Sequence, residues 1–138
     1  MKNVIISIKG SRCLDDEHEA IELVTNGEYS YADGESTLSY MESELTGMEG
    51  TKTTFSIRPE LVTLTREGSV TSQMVFQQGK KHFFLYSTPY GAATMGVDTR
   101  SLKHGLGENG GDLELCYCLD VDHVSLGKTE FIIQVREA

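Results

Sequence analysis

The stretch from Phe83 to Thr99, FFLYSTPYGAATMGVDT, decides the fold of this chain. Aromatic and β-branched residues fill its two halves, and Pro89-Tyr90-Gly91 separates them. That arrangement predicts two β-strands joined by a tight turn, because proline and glycine interrupt a strand pattern. Short alternating segments separated by glycine or proline recur on both sides of it, so the whole chain is predicted to be antiparallel and all-β.

The other segments extend this pattern to about 8–10 strands, and none shows sustained helical periodicity. Hairpin-length turns join sequential strands, which favours a meander barrel over a Greek-key sandwich. Closing the sheet also removes the exposed edges that would otherwise promote aggregation. We therefore predict a single domain, residues 1–138, folded as an antiparallel meander β-barrel.

Several segments carry more specific predictions about how the strands are joined. The acidic run 15–19 is predicted to be a solvated loop, and Asn26-Gly27 a bulge or sharp bend in a long strand. A strand is predicted over 36–43 and a turn over 121–127. The glycine-rich run 104–111 matches the letters of a dinucleotide-binding fingerprint but lacks its strand–loop–helix context, so a flexible hairpin loop is predicted.

The net charge of −9 limits the kinds of partner that we expect for the protein. It argues against nonspecific binding to nucleic acid or to an anionic membrane, and no basic run longer than Lys80-Lys81 opposes it. The apolar N-terminal run is too short for a signal peptide, and no stretch is long enough to span a bilayer. An odd count of three cysteines fits free thiols in a reducing compartment, so a cytoplasmic location is predicted.

Strand parity places several polar side chains inside the barrel. Glu42 shares a face with Leu38, and Arg66 shares a face with Leu64. A charge inside a barrel must be paired or hydrogen-bonded, because an isolated buried charge is costly. Glu42 and Arg66 are therefore expected to face the lumen, where they could form a pair. The predicted lumen residues are Tyr40, Glu42, Arg66, Tyr86, Thr88, Thr99 and Tyr117, with Glu44 extending the group toward one mouth of the barrel.

Two interpretations of these lumen residues stay open. Glu42 and Arg66 could orient a polar group of a bound ligand, or they could form a structural ion pair that closes one end of the barrel. Glu42 and Glu44 share a strand face, which could suit acid–base chemistry, but no recognisable nucleophile accompanies them. No catalytic residue is assigned.

The cysteines do not form a convincing metal motif. Cys116-X-Cys118 places two thiols on one strand face, with His104 and His123 as possible companions. A structural zinc site needs four ligands and usually a Cys-X2-Cys spacing, which is not present here. We expect surface or half-buried thiols, and neither a metal nor a cofactor.

Three segments together resemble a known family. They are 40–51 (YMESELTGMEGT), 86–91 (YSTPYG) with the following 95–99 (MGVDT), and 111–119 (GDLELCYCL). In this order and spacing the chain resembles the YwiB-like family of small bacterial proteins, whose fold is a calycin-type, lipocalin-like β-barrel. The resemblance implies the barrel but brings no activity or site residues with it. Calycin barrels often hold small apolar ligands, yet this chain lacks the tryptophan of true lipocalins, which argues against an extracellular lipophile carrier.

Noncovalent binding of a small molecule in the lumen is the expected function. The first alternative is an interaction or homodimerising module with a plugged barrel, which exposed apolar residues such as Ile5, Val24 and Ile132 would favour. The second is an enzyme acting through Glu42, Glu44 and Arg66. A lumen filled with tyrosine, phenylalanine and methionine side chains would argue against the ligand and for the interaction module.

Overall fold

The computed structural model describes residues 2–14, 16–43 and 48–138. These residues form ten β-strands, and none of them forms a helix long and apolar enough to cross a membrane. The strands are β1 (Lys2–Leu14), β2 (Glu17–Ala32), β3 (Glu35–Met41), β4 (Lys52–Ile57), β5 (Val62–Glu67), β6 (Ser72–Phe76), β7 (Lys81–Thr88), β8 (Gly91–His104), β9 (Gly110–Val121) and β10 (Val124–Glu137).

All ten strands belong to one antiparallel sheet with the order β6-β5-β4-β3-β2-β1-β10-β9-β8-β7. β1 and β10 pair in the middle of this order, and its two edge strands, β6 and β7, contact each other, so the sheet curls into a barrel whose seam lies between β6 and β7. At one end of that seam Thr71 and Ser87 exchange two backbone hydrogen bonds of 2.9 Å. The barrel is therefore nearly closed, which confirms the predicted antiparallel meander; the finer calycin, lipocalin-like classification stays a prediction.

The middle of the barrel is a packed core. Alternate residues of the strands point inward, as the period of two in the sequence predicts. Among them, Tyr29, Phe55 and Phe76 are fully buried. Their rings, with branched aliphatic side chains around them, fill the central section and leave no open lumen there. The other largest buried side chains are Val4, Ile6, Leu38, Ile57, Val62, Val97, Leu113 and Ile133.

The hairpin that identified the fold is formed by β7 and β8. The two-residue turn Pro89-Tyr90 joins the strands, and Gly91 has a φ of 138°, which favours glycine. Phe84 faces the core, whereas Phe83 is 65% exposed. The strand pair was predicted correctly from the sequence.

Neither the loop nor the bulge predicted for the long strand β2 is formed. Glu17, His18 and Glu19 are exposed, as expected, but they lie within β2, where they pair with the last residues of β1. Asp15, the first residue of the predicted loop, lies outside the described residues. Asn26-Gly27 forms no bulge, since β1 and β2 pair in unbroken register. Gly27 is needed for a close approach instead: a Cβ there would collide with the Ile6 side chain and the Ser39 carbonyl oxygen.

Three other segments also differ from the predictions. The predicted turn 121–127 shrinks to Asp122-His123, whose φ angles of 50° and 66° suit a two-residue hairpin turn. The strand predicted over 36–43 ends at Met41. The glycine-rich connector was predicted to be a flexible loop. It is attached to the barrel by a hydrogen bond, which the Tyr29 hydroxyl donates to the Gly107 carbonyl oxygen at 2.6 Å. No helix follows this connector, which leads directly into β9.

Candidate functional site

The barrel wall opens where β2 and β3 separate. The two strands pair only between Glu28 and Ala32 on β2, and beyond Ser39 the strand β3 continues to pair with β4 alone. The preceding part of β2 stays paired with β1 and has no ladder pair with β3. A cavity of about 680 Å³ lies in this opening, at the barrel end that carries the β1–β2 and β9–β10 turns.

A buried carboxylate forms part of the polar floor of the cavity. Glu42 is 6% exposed, and its backbone N–H donates a 2.8 Å hydrogen bond to the Thr51 carbonyl oxygen, which continues the β3–β4 pairing. The Thr53 hydroxyl, itself fully buried, donates a 2.7 Å hydrogen bond to Glu42 Oε1. This donor compensates part of the cost of burying the carboxylate.

Arg66 lines the same cavity from β5. Its Nε is buried without a hydrogen-bond partner, and so is the hydroxyl of Ser72, its direct cross-strand neighbour on β6. Within the described part of the chain Arg66 forms no ion pair within 4.0 Å, so the pair with Glu42 considered from the sequence is not formed. A buried polar atom without a partner is rare and marks a site that a ligand or water can satisfy.

Two buried tyrosines complete the floor. Burial raises the pKa of Tyr40 well above its usual range, and the Glu42 carboxylate raises it further, while Arg66 opposes the shift. Burial also raises the pKa of Tyr117, against the opposing effects of Arg66 and a hydrogen bond with Thr129. Both tyrosines therefore keep neutral hydroxyl groups. The Tyr40 hydroxyl is hydrogen-bonded to the Glu42 carboxylate, and the Tyr117 hydroxyl to Thr129.

The opposite wall of the cavity is largely apolar. Ile21 on β2 and Phe131 on β10 flank Gly10 on β1, where a Cβ would lie 3.3 Å from each of them. Ile8 and Leu23 extend this surface toward the core. The lining also includes Ser11, Thr129 and the ion pair of Arg12 with Glu19. The cavity thus combines an apolar wall with polar groups at its floor and rim, which is a common composition of a small-molecule site.

Four of the predicted lumen residues line the cavity together, and three lie elsewhere. The cavity contains Tyr40, Glu42, Arg66 and Tyr117. Thr99 is fully buried opposite Tyr117 in the β8–β9 register but does not line the cavity, and its hydroxyl has no partner. Tyr86 packs against the core, and the Thr88 hydroxyl donates a 3.1 Å hydrogen bond to the Gly91 carbonyl oxygen. Glu44 lies outside the described residues.

Sequence reasoning missed the apolar wall and two neighbours of the floor residues, Thr53 and Ser72, which do not line the cavity themselves. Thr53 and Ser72 both sit on inward faces that alternation identifies, so their orientation was available from the sequence. Their relation to Glu42 and Arg66 was not, because it depends on the β3–β4 and β5–β6 registers. The apolar wall depends on how far β2 extends past β3.

The cysteines and histidines do not gather into a metal site. The described residues contain no group of three or more histidine, cysteine, aspartate and glutamate side chains that could hold a metal ion. Cys116 and Cys118 are half-buried free thiols whose β9 neighbours Leu115 and Tyr117 point inward. His104 at the end of β8 pairs with Leu113, whereas His123 lies in the turn at the opposite end of β9.

Comparison with known proteins identifies the family. The model of the Domain of unknown function DUF1934 matches residues 6–133. The crystal structure of YwiB from Bacillus subtilis matches with a TM-score of 0.89 at 22% identity, covering 99% of this chain and 92% of YwiB, which shows the same fold. A search of the curated proteins found no match. These matches confirm the YwiB-like resemblance, and because the family model spans nearly the whole sequence, the chain belongs to the DUF1934 family.

Proposed function

We propose that this protein binds a small molecule noncovalently in the cavity between β2 and β3, with Arg66 holding an anionic group of the ligand. This places the ligand at one end of the barrel, because the packed core occupies the centre. The single observation that carries the proposal is the unsatisfied Arg66 Nε beside the unsatisfied Ser72 hydroxyl. Burying these two polar atoms is unfavourable unless another group, such as a ligand atom, forms hydrogen bonds with them.

The chemistry of the cavity defines the ligand class. A carboxylate accepts two parallel hydrogen bonds from an arginine guanidinium, and a serine hydroxyl can add a third. The apolar walls formed by Ile21 and Phe131 suit a hydrocarbon or aromatic body. Glu42 discriminates against a second negative charge on the ligand. The ligand that fits is an organic acid with one carboxylate and an apolar body.

The test compares matched acids and alcohols as probes. Octanoate and phenylacetate would be titrated against the protein by isothermal calorimetry, beside octanol and phenylethanol. We expect the two acids to bind the parent protein and the alcohols to bind at least about tenfold more weakly, since a charge-assisted pair is lost. Equal binding of acids and alcohols, or no binding of any probe, would overturn the proposal.

A matched pair of variants assigns the binding to Arg66. Arg66→Met keeps the side-chain stem and removes the charge, and it should abolish the preference for the acids. Arg100→Met removes an exposed guanidinium that is paired with Asp98 on the outer surface, and it should leave binding unchanged. Loss of binding in both variants would point to general electrostatic attraction instead of a site at Arg66.

A protein-interaction module is the second candidate, and two observations favour it. The centre of the barrel is filled by side chains such as Phe55 and Phe76, as that alternative requires. Phe83 and Leu85 are 65% and 58% exposed on β7, which borders the seam of the sheet. Of the residues named beforehand for this role, Val24 is 65% exposed and Ile132 37%, whereas Ile5 is half-buried. Sedimentation velocity of the parent and of Phe83→Ser would detect self-association through this surface.

A further inference from the structure

The N-terminal part of β2, from Glu17 to Gly27, has a strand edge that no other described strand covers. β3 pairs with β2 only from Glu28 onward, and the residues from Glu17 to Gly27 pair with β1 alone. At about 3.4 Å per residue, these eleven residues form an edge about 35 Å long. Long uncovered strand edges tend to pair with another chain, so this edge can accept a further strand.

The backbone groups on this edge can be assigned from the neighbouring hairpin. Asp33 and Gly34, with φ angles of 53° and 77°, form a two-residue turn of type I′ between β2 and β3. Such a turn makes its flanking residues, Ala32 and Glu35, a hydrogen-bonded pair, and the bonded pairs then recur at every second residue. The even-numbered residues of β2 therefore direct N–H and C=O groups toward β3. Beyond the end of the pairing, the same alternation leaves these groups of His18, Ala20, Glu22, Val24 and Asn26 facing the uncovered edge.

The charges on the edge select among possible occupants. Residues 16–28 contain five carboxylates and no lysine or arginine. Lys9 and Arg12 on β1 form exposed ion pairs with Glu22 and Glu19, which offset two of these charges. A second copy of this edge would set carboxylates against carboxylates, which disfavours self-pairing. A basic extended chain is complementary to it.

The two faces of the edge specify the side chains of such an occupant. On the outer face, Glu22 and Val24 lie beside the position of an added strand, so lysine or arginine fits there. On the inner face, Ile21 and Leu23 border the cavity, so an apolar side chain fits there. Main-chain hydrogen bonds with alternating side-chain specificity are the defining features of peptide recognition by strand addition.

We infer that the uncovered edge of β2 binds an extended peptide segment of a partner protein, with basic side chains alternating with apolar ones, as an added strand. This goes beyond the proposed organic-acid site and does not depend on Arg66. The peptide is held by the backbone of β2, so a failure of the acid titrations leaves it intact, and the converse also holds.

The test uses a synthetic ten-residue peptide of alternating lysine and valine, labelled for fluorescence anisotropy. Val24→Pro removes one N–H from the uncovered edge without removing a β1–β2 hydrogen bond, and the exposed Val24 side chain makes little packing. Val24→Thr keeps the N–H and is the matched control. We expect binding to the parent and to Val24→Thr, and binding weaker by about tenfold or more in Val24→Pro, since the proline also blocks close approach of the strand.

Circular dichroism and thermal unfolding must show that Val24→Pro is folded. If it is not, the same loss is measured on the parent protein with a peptide whose alternate backbone nitrogens are methylated. A peptide of alternating glutamate and valine should not bind. Equal binding to parent and Val24→Pro, equal binding of the methylated peptide, or no binding of the lysine peptide would overturn the inference. A dimer of the parent that Val24→Pro dissociates would also overturn it, because a second copy would then be the occupant.

Discussion

Replacing Thr53 by valine tests the polar floor of the cavity most directly. The substitution preserves the shape of a fully buried side chain but removes the hydroxyl that donates the 2.7 Å hydrogen bond to Glu42. A hydrogen bond to a charged group contributes about 1.5–3 kcal/mol, and Glu42 is too buried for water to replace this donor freely. We therefore expect Thr53→Val to lower the free energy of unfolding by about 1.5–3 kcal/mol.

This loss converts into a measurable change in melting temperature. With an unfolding entropy of about 2.1 cal/mol/K per residue, a chain of 138 residues has about 0.29 kcal/mol/K. The expected decrease in Tm is then about 5–10 °C, readable by calorimetry or by circular dichroism. Urea unfolding at 25 °C supplies the free energy independently, and its m-value should not change.

Thr54→Val is the control, because Thr54 is the half-buried neighbour on the opposite face of β4. It should change the free energy of unfolding by less than about 0.5 kcal/mol. A double-mutant cycle with Glu42→Gln assigns the effect to the pair, with a coupling of about 0.5–3 kcal/mol expected for contacting residues. If Thr53→Val costs no more than Thr54→Val, or if the cycle shows no coupling, the hydrogen bond does not stabilise the floor as argued.

Two further perturbations test the opening of the wall and the state of the floor. Gly27→Ala should destabilise the protein by about 1–3 kcal/mol in a urea titration, because the new Cβ collides with Ile6 and the Ser39 carbonyl. Gly105→Ala is the control: no atom lies within 4 Å of its new Cβ, so its free energy of unfolding should be nearly unchanged. The raised pKa values of Tyr40 and Tyr117 mean that the folded state binds more protons than the unfolded state above their ordinary pKa of 10.0, so stability should fall as the pH rises through that value. Tyr40→Phe should reduce this alkaline loss in urea titrations at about pH 9 and 11; an unchanged slope would contradict the shift.

The faces of the strands could be predicted from local pattern because a strand alternates its side chains with a period of two. The inward orientation of Tyr40 and Arg66 was expected from that period alone, and both line the cavity. The prediction of a connecting loop failed where it rested on charge alone. Glu17 to Glu19 were expected to form a loop because they are acidic, yet exposed strand positions accept such residues and the pairing with β1 decides the matter.

Alternation in this sequence therefore determined the strands, their inward faces and the antiparallel meander, because these features arise from neighbours a few residues apart. Only the tertiary structure decided that the centre of the lumen is filled, since that depends on the summed volume of side chains from many strands. It also decided that β2 pairs with β3 only from Glu28 onward, which opens the cavity and leaves the preceding edge of β2 without a partner strand among the described residues. Arg66 and Ser72 become neighbours through the β5–β6 register, so the site that they form is a property of pairing and not of either segment alone.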